Sequence, residues 1–260
     1  MFTPFANTNQ FDPDAGAFIN ASGVGGIEAV AINNLVNQLK TAGLWGKFNA
    51  IYPFVGGTAS SHRWNLINPQ DTNAAYRLTF GGTVTHNSNG ITGNGTTGFA
   101  NTFLAPSAAG GGQNNVHISL YVNSTPTAAG GTDMGATNNT TTSFGMNIRN
   151  PSNLLNTALN NFTFAGTANT TAGFINISRT ISTEYKRYKN TTESTHTVNS
   201  VTPTTNSLYI CAWNNNGTAG NFVSRTYGWS SIGFGLTAAE NNNLYNIIQN
   251  FQITLGRSVN

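Results

Sequence analysis

Trp213 and Trp229, with Tyr209 and Tyr227, flank an Asn/Gly-rich stretch at 214–221. Aromatic rings beside side-chain amides can hold a sugar: the rings cover the apolar face of a pyranose and the amides bond its hydroxyls. Tyr209, Trp213, Asn215 and Trp229 are therefore the candidate binding set. The competing reading is that these rings fill the core or brace the loop.

Other chemistry is thinly supplied. The acids are Asp12, Asp14, Glu28, Asp71, Asp133, Glu184, Glu193 and Glu240. Hydrolysis of a glycosidic bond normally takes two facing carboxylates, and no dense E-x-D-x-x-E string occurs. Asp12, Asp14, Glu28 and Glu240 fall at helix starts, where the helix dipole already accounts for them. Asp71, Asp133, Glu184 and Glu193 remain, far apart in sequence. Asp133, in a Gly/Thr/Asn loop, is the candidate for a loop calcium; no other cofactor is expected. His62, His86, His117 and His196 form no H-x-H or H-x-x-x-H pair, so no metal set is assigned. Ser60-Ser61-His62 lacks a G-x-S-x-G elbow, and no catalytic residues are assigned. GNGTTG at 93–98 matches G-x-G-x-x-G but leads into a strand pattern, whereas a dinucleotide site needs a helix there. Cys211 stands alone, which excludes an internal disulfide or a Cys-based zinc site. EYKRYK at 184–189 interleaves aromatic and basic residues, as single-strand nucleic-acid platforms do. The simpler expectation is a solvated sheet edge blunted by Lys. On a strand, Lys186 shares a face with Glu184 and Tyr188, and Arg187 with Tyr185 and Lys189.

Composition narrows the classes. Only 7% of the 260 residues are charged, against about 25% in an average globular chain. There are roughly 40 Asn and 37 Thr, with 29 Gly, 16 Phe, 8 Tyr and 4 Trp. Such aromatic content excludes a disordered polyelectrolyte. Eleven Lys and Arg against eight acids give a net charge of +3, too little for a nucleic-acid-binding face. No apolar run approaches the roughly 20 residues of a membrane span. Residues 1–10 have neither the basic nor the apolar region of a signal peptide.

Two helical patterns bracket the chain. Asp12-Pro13-Asp14 supplies a cap, a first-turn proline and a first-turn acid for a short helix that ends near Ser22-Gly23. A second helix runs from about Ile27 to Thr41, with Ala31, Ile32, Leu35, Val36 and Leu39 forming its apolar stripe. Thr237-Ala238-Ala239-Glu240 is a capping box for a terminal helix carrying Leu244, Ile247, Ile248, Phe251 and Leu255 on one face. The roughly 190 residues between alternate with period two around 76–80, 118–122, 144–148 and 208–212. Further strand candidates lie at 50–55, 62–66, 83–86, 99–104, 162–165, 174–178, 184–189 and 230–234. A dozen short strands with no helices between them predict a mainly β fold, a two-sheet antiparallel sandwich with the helices on one side or edge. With no linker visible, residues 11–260 read as one domain behind an extended arm at 1–10.

FDPDAGAFIN at 11–20, Leu44-Trp45, IYPFVGGTASSH at 51–62, SIGFGLT at 231–237 and FQITLGR at 251–257 together resemble the concanavalin A-like (LamG-like lectin/glucanase) domains of bacteriophage virion structural proteins. The resemblance runs from about Phe11 to the end. It implies a jelly-roll sandwich in a non-enzymatic virion protein, displayed on the exterior of the particle. With no fibrous shaft in the chain, a capsid decoration, spike or fibre-tip subunit is expected. Its partners would be other virion proteins, further copies of itself and a host-surface glycan, with neither nucleic acid nor membrane insertion. Phe2, Pro4 and Phe5 would anchor the arm on a neighbouring subunit. The alternatives are a carbohydrate-binding module that recognises host glycans and, third, a glycan-cleaving enzyme.

Overall fold

The computed structural model describes residues 11–123, 130–138, 142–168 and 172–259. The arm residues Phe2, Pro4 and Phe5 lie outside these.

The helices are α1 (Pro13–Ser22), α2 (Gly26–Thr41), α3 (Ala59–His62) and α4 (Ala238–Thr254). The strands are β1 (Phe48–Tyr52), β2 (Thr79–Gly81), β3 (Val84–Asn87), β4 (Gly90–Gly93), β5 (Phe99–Asn101), β6 (Val116–Val122), β7 (Met134–Thr137), β8 (Ser143–Asn147), β9 (Leu154–Asn161), β10 (Ala165–Ala168), β11 (Gly173–Arg179), β12 (Glu184–Lys189), β13 (Thr192–Thr197), β14 (Tyr209–Ile210), β15 (Trp213–Asn215), β16 (Thr218–Gly220) and β17 (Thr226–Gly233).

Local chemistry starts and stops the long helices where expected. Asp12 accepts from the Asp14 amide, Pro13 opens α1, and Gly23 closes it at φ 71°, a conformation that costs glycine least. At α4 the reciprocal Thr237–Glu240 capping box is formed.

The strands form two antiparallel sheets packed as a sandwich. The first runs β13-β12-β11-β6-β17-β4-β3, with β1 also on β17; the second runs β10-β9-β8-β7-β14-β5-β2. β15 joins the second sheet by parallel pairing with β7, and β16 folds back on β15. Ile118, Leu120, Ile175, Ile177 and Ile232 of the first sheet meet Met134, Phe144, Met146, Leu159 and Ile210 of the second in the inter-sheet core.

A second apolar layer covers the other face of the first sheet. Ile32, Leu35, Val36 and Leu39 of α2 and Leu244, Ile248 and Phe251 of α4 pack there against Phe48, Ile51, Tyr121, Phe174 and Trp229. Each fully buried aliphatic side chain in such a layer stabilises the fold by roughly 1.5–3 kcal/mol. The order is thus helices, first sheet, second sheet, and the helices leave the outer face of the second sheet uncovered.

Several strand expectations shift for local reasons. The 62–66 candidate gives way to α3, a single turn held by a Thr58–Ser61 capping box. Alternation at 208–212 yields only two strand residues, because Cys211 adopts φ 69°. At 76–80 the strand begins only at Thr79, since Tyr76 sits at φ 59°. EYKRYK is not a sheet edge: β12 is flanked by β11 and by β13, and β13 forms the border. Its two faces divide as the alternation predicts, but Arg187 and Lys189 point inward and are buried.

Covering the first sheet on both sides traps polar groups, which pair in one directed chain. The Phe234 carbonyl lies 2.6 Å from His117 Nδ1 and can only accept, so Nδ1 carries the ring proton. His117 Nε2 then accepts from Ser231 Oγ at 3.1 Å. Ser231 accepts from Ser119 at 2.7 Å, and Ser119 accepts from Trp229 Nε1 at 3.0 Å. Burial holds the His117 imidazole down to about 4, against the opposing pull of the Phe234 carbonyl. At the edge of the inter-sheet core, His62 and His86 share a hydrogen bond between their Nδ1 atoms at 3.0 Å. Burial first, then the neighbouring His86 and Arg257 charges, push His62 down to about 3.

Both rings are depressed below their unfolded value near 6.5, so the unfolded chain binds more protons between that value and the folded ones. Stability conferred by the neutral rings is present above pH ~6.5 and declines as pH falls towards 4. The expected slope is about 1.4 kcal/mol per pH unit for each histidine. Urea unfolding at pH 7.5, 6 and 5 measures it, and His117→Gln should reduce the slope by the share of one histidine.

Candidate functional site

On the uncovered face, Gly135 of β7 stands opposite Gly145 of β8. β15 pairs with β7 so that Trp213 is in register with Gly135. The Trp213 ring lies over both glycines: a Cβ at Gly135 would come within 2.4 Å of it, and one at Gly145 within 2.8 Å. Only residues without side chains let the indole lie this close to the sheet. Phe164, just before β10, tilts against the indole at 53° with ring centres 5.5 Å apart. Asn147 of β8 and Asn156 of β9 are cross-strand partners, so both amides rise on the same face. With Thr132 and Asn221 they complete a cleft of about 280 Å³ around the two rings. Asn147 Oδ1 is buried without a hydrogen-bond partner. Leaving such an acceptor unmet costs about 1–3 kcal/mol, and a ligand hydroxyl or water can meet it.

The candidate binding set divides. Trp213 belongs to the cleft. Asn215 follows it two residues along β15 but is not among the cleft-lining side chains. Tyr209 is 7% exposed and stacks on Phe99 with centres 4.6 Å apart, outside the cleft. Trp229 is fully buried beneath Phe251 of α4 and is ligated by Ser119, so it is a core residue with no surface to offer a sugar. Tyr227 and Trp229 take opposite faces, because the register of β17 shifts between them. The bulge sends Tyr227 into the inter-sheet core and Trp229 under the helices. Sequence reasoning missed Thr132, Asn147, Asn156 and Phe164, and reached Asn221 only as the end of the 214–221 stretch. In a chain with so many Asn and Thr, nothing marks the other four, and only the fold unites them.

Asp133 is no calcium ligand in this arrangement. Its carboxylate is wholly buried and accepts from Arg225 Nη1 at 2.9 and 2.7 Å, the Tyr227 hydroxyl at 2.5 Å and the Ile148 amide at 2.6 Å. Burial first, with the Asp133 charge second, raises the Tyr227 hydroxyl well above its ordinary range, so it remains a donor. The other acids are also engaged. Lys40 holds Asp12 and Asp14, Lys47 holds Glu240, and Lys186 holds both Glu184 and Glu193. Arg63 and Arg77 hold Asp71, and the Gly56 amide donates to Glu28. Among the described residues no carboxylate lines the Trp213 cleft, and no three His, Cys, Asp or Glu side chains gather to hold a metal. The Ser231–His117 contact is completely buried, out of reach of any substrate. A second recess of about 380 Å³ lies between α2 and α4 and is lined largely by amides, with no aromatic ring.

No family model matches the chain, and no curated protein matches it. Solved structures do. Domain 4 of AbnA, an extracellular arabinanase from Geobacillus stearothermophilus solved in complex with arabinotriose, superposes with a TM-score of 0.51 at 14% identity, over 76% of this chain and 98% of that one. The binding domain of botulinum neurotoxin serotype D gives 0.54 at 11% identity, over 78% of this chain and 52% of that one. A mutant of Trypanosoma rangeli sialidase displaying trans-sialidase activity gives 0.51 at 10% identity, over 88% of this chain and 39% of that one. The chain thus spans about half of the neurotoxin chain and about two-fifths of the sialidase chain. These likenesses bear on the fold, a two-sheet β-sandwich.

The glycine pair makes the site's geometry testable. In Gly135→Ala the new methyl must displace the indole, so the near-UV circular dichroism and fluorescence of Trp213 should change while the far-UV spectrum is kept. An unchanged near-UV spectrum would show that the ring does not lie over the glycines.

Proposed function

We propose that this chain is a non-enzymatic, lectin-like domain of a bacteriophage virion protein that holds a carbohydrate in the Trp213 cleft. The observation that carries the binding role is the Trp213 indole resting on Gly135 and Gly145, with Phe164 beside it and the Asn147 and Asn156 amides around it. Ring faces and amides in one cleft are the chemistry of a neutral sugar. The arabinotriose bound by the similar arabinanase domain supports that ligand class. The non-enzymatic reading is supported by the acids: each of the eight is held by a cation or a backbone amide. The virion role is supported by the strings at 11–20, 51–62 and 231–257, and by a surface with little charge to repel neighbouring copies. On this reading the protein sits on the particle exterior among other virion proteins.

Glycan-array binding of the purified protein tests the cleft. Trp213→Ala should weaken binding roughly ten-fold or more by removing the stacking surface. Trp229→Phe should leave affinity unchanged and lower stability instead. Absence of binding to any neutral glycan would overturn the carbohydrate role. Antibody labelling of purified particles tests the virion role, and an unlabelled particle surface would overturn it.

A further inference from the structure

Buried cations normally face an acid, and Arg225 does. Arg179 and Arg257 take a different solution and are wrapped by backbone carbonyls: Leu159, Ile181, Ser182, Glu184 and Val198 for the first, Pro53, Phe54, Ser88 and Gly228 for the second. Arg187 and Lys189 have a thinner carbonyl shell. They project inward from β12 and are 6% and 8% exposed. Arg187 reaches the Ala165 carbonyl at 3.0 Å and the Thr195 carbonyl at 3.4 Å, while its Nε is buried and unpartnered. Among the described residues the Lys189 ammonium, with three donors, meets only the Ala172 carbonyl. Among the described residues no carboxylate pairs with either.

The β12–β13 register sets Ser194 opposite Arg187 and Thr192 opposite Lys189, so the two cations share a face with two hydroxyl residues. These four, with Glu193 between the two hydroxyl residues and Thr167 and Leu155 across the sheet gap, line a recess of about 50 Å³. The carboxylate of Glu193 is on the opposite face of the strand pair, bound to Lys186. His196, next along that inner face, is held below its usual range by burial and then by the charges of Arg187 and Arg179. Burial without an acid brings Lys189 down to about 8, so its charge at neutral pH is incompletely compensated by the protein.

We propose that this recess at the β12–β13 border binds a small oxyanion, which Arg187 and Lys189 hold with the Thr192 and Ser194 hydroxyls. Its volume suits a few water-sized groups, hence a carboxylate or phosphate group and not a sugar ring. The site is separate from the Trp213 cleft, with which it shares only the β9–β10 hairpin: Asn156 faces the cleft, and Leu155 and Thr167 face the recess.

Thermal unfolding at pH 7 tests the proposal, with sodium phosphate or sodium acetate titrated against sodium chloride of equal ionic strength. A bound oxyanion stabilises the folded chain by mass action, so phosphate ten-fold above its dissociation constant should raise Tm by about 3–6 °C, saturably. A response to acetate alone would identify the site as one for carboxylates, and a response to phosphate as one for phosphoryl-type groups. Lys189→Met should abolish the shift, Lys189→Arg should retain it, and Trp213→Ala should respond as the parent does. Thr192→Val leaves both buried charges in place and should weaken the response several-fold, which keeps the test open if Lys189→Met does not fold. No shift beyond that of chloride, or an undiminished shift in both Lys189→Met and Thr192→Val, would overturn the proposal.

Discussion

The first sheet is buried on both faces, and much of the molecule follows from that constraint. An antiparallel sheet usually keeps one face in water, where its polar side chains need no partner. Here α2 and α4 close that face, so its polar atoms can be met only from within. Trp229, Ser119, Ser231, His117 and the Phe234 carbonyl do this as a single file of donors, with one permitted direction and a neutral imidazole. Asn176 meets Asn241 of α4 in the same layer, and Gln252 of α4 binds Arg257, which in turn binds the Gly228 carbonyl. The bulge at Gly228 lets β17 supply Tyr227 to one core and Trp229 to the other. Covering one sheet also determines which surface is left: the second sheet's outer face has no helix over it, and the Trp213 cleft lies there.

Scarcity of charge shapes the rest. With eight acids in 260 residues, several buried cations are met by carbonyls instead. Arg257 does so by gathering the 53–54 segment, Ser88 and Gly228 around one guanidinium, which ties the C-terminal segment to three separate parts of the chain. Asp133 and Arg225 form the buried ion pair, and Tyr227 and the Ile148 amide complete the carboxylate's shell. Such a pair adds little net stability over apolar packing, but losing one partner strands a charge in the core. Arg187 and Lys189 complete neither arrangement: the first meets two carbonyls and the second one, with no carboxylate on either among the described residues.

Legibility in the sequence followed the range of the interactions. The helices could be read because caps and stripes are local: Asp12-Pro13, Gly23 and the Thr237–Glu240 box act within a turn of the residues they organise. The sandwich could be read because long alternating strands such as 118–122 declare two faces. What was illegible depended on backbone turns or on distant partners. Positive φ at Cys211 shortened a strand whose side chains alternate well. Trp229, expected in the binding set, lies on the sheet that is buried on both faces, and a one-residue bulge decides only which of its two cores the ring enters. Lys residues at 184–189 suggested an edge, but β13, whose polar residues gave no strand signal, added itself outside them. The cleft was half visible: Trp213 drew notice as an aromatic beside amides, whereas Asn147 and Asn156 acquire meaning only through the pairing of β8 with β9.

The glycines under Trp213 bear on whether the cleft is incidental. Side chains at Gly135 and Gly145 would point to the uncovered face, where no helix limits their size and where packing alone would favour β-branched or aromatic residues. Glycine weakens a strand by losing packing and by its entropy. Two of them opposite one another therefore represent a sacrifice in sheet stability at a spot the core does not constrain. What they gain is local: an indole brought down against the backbone, flanked by Phe164, with part of its surface still open to the cleft. A ring needed only to cover the sheet would do so equally well over alanine or valine at a slightly greater height. Setting it lower places it in one cleft with the Asn147 and Asn156 amides, the pairing of ring and amides on which the proposed binding role rests.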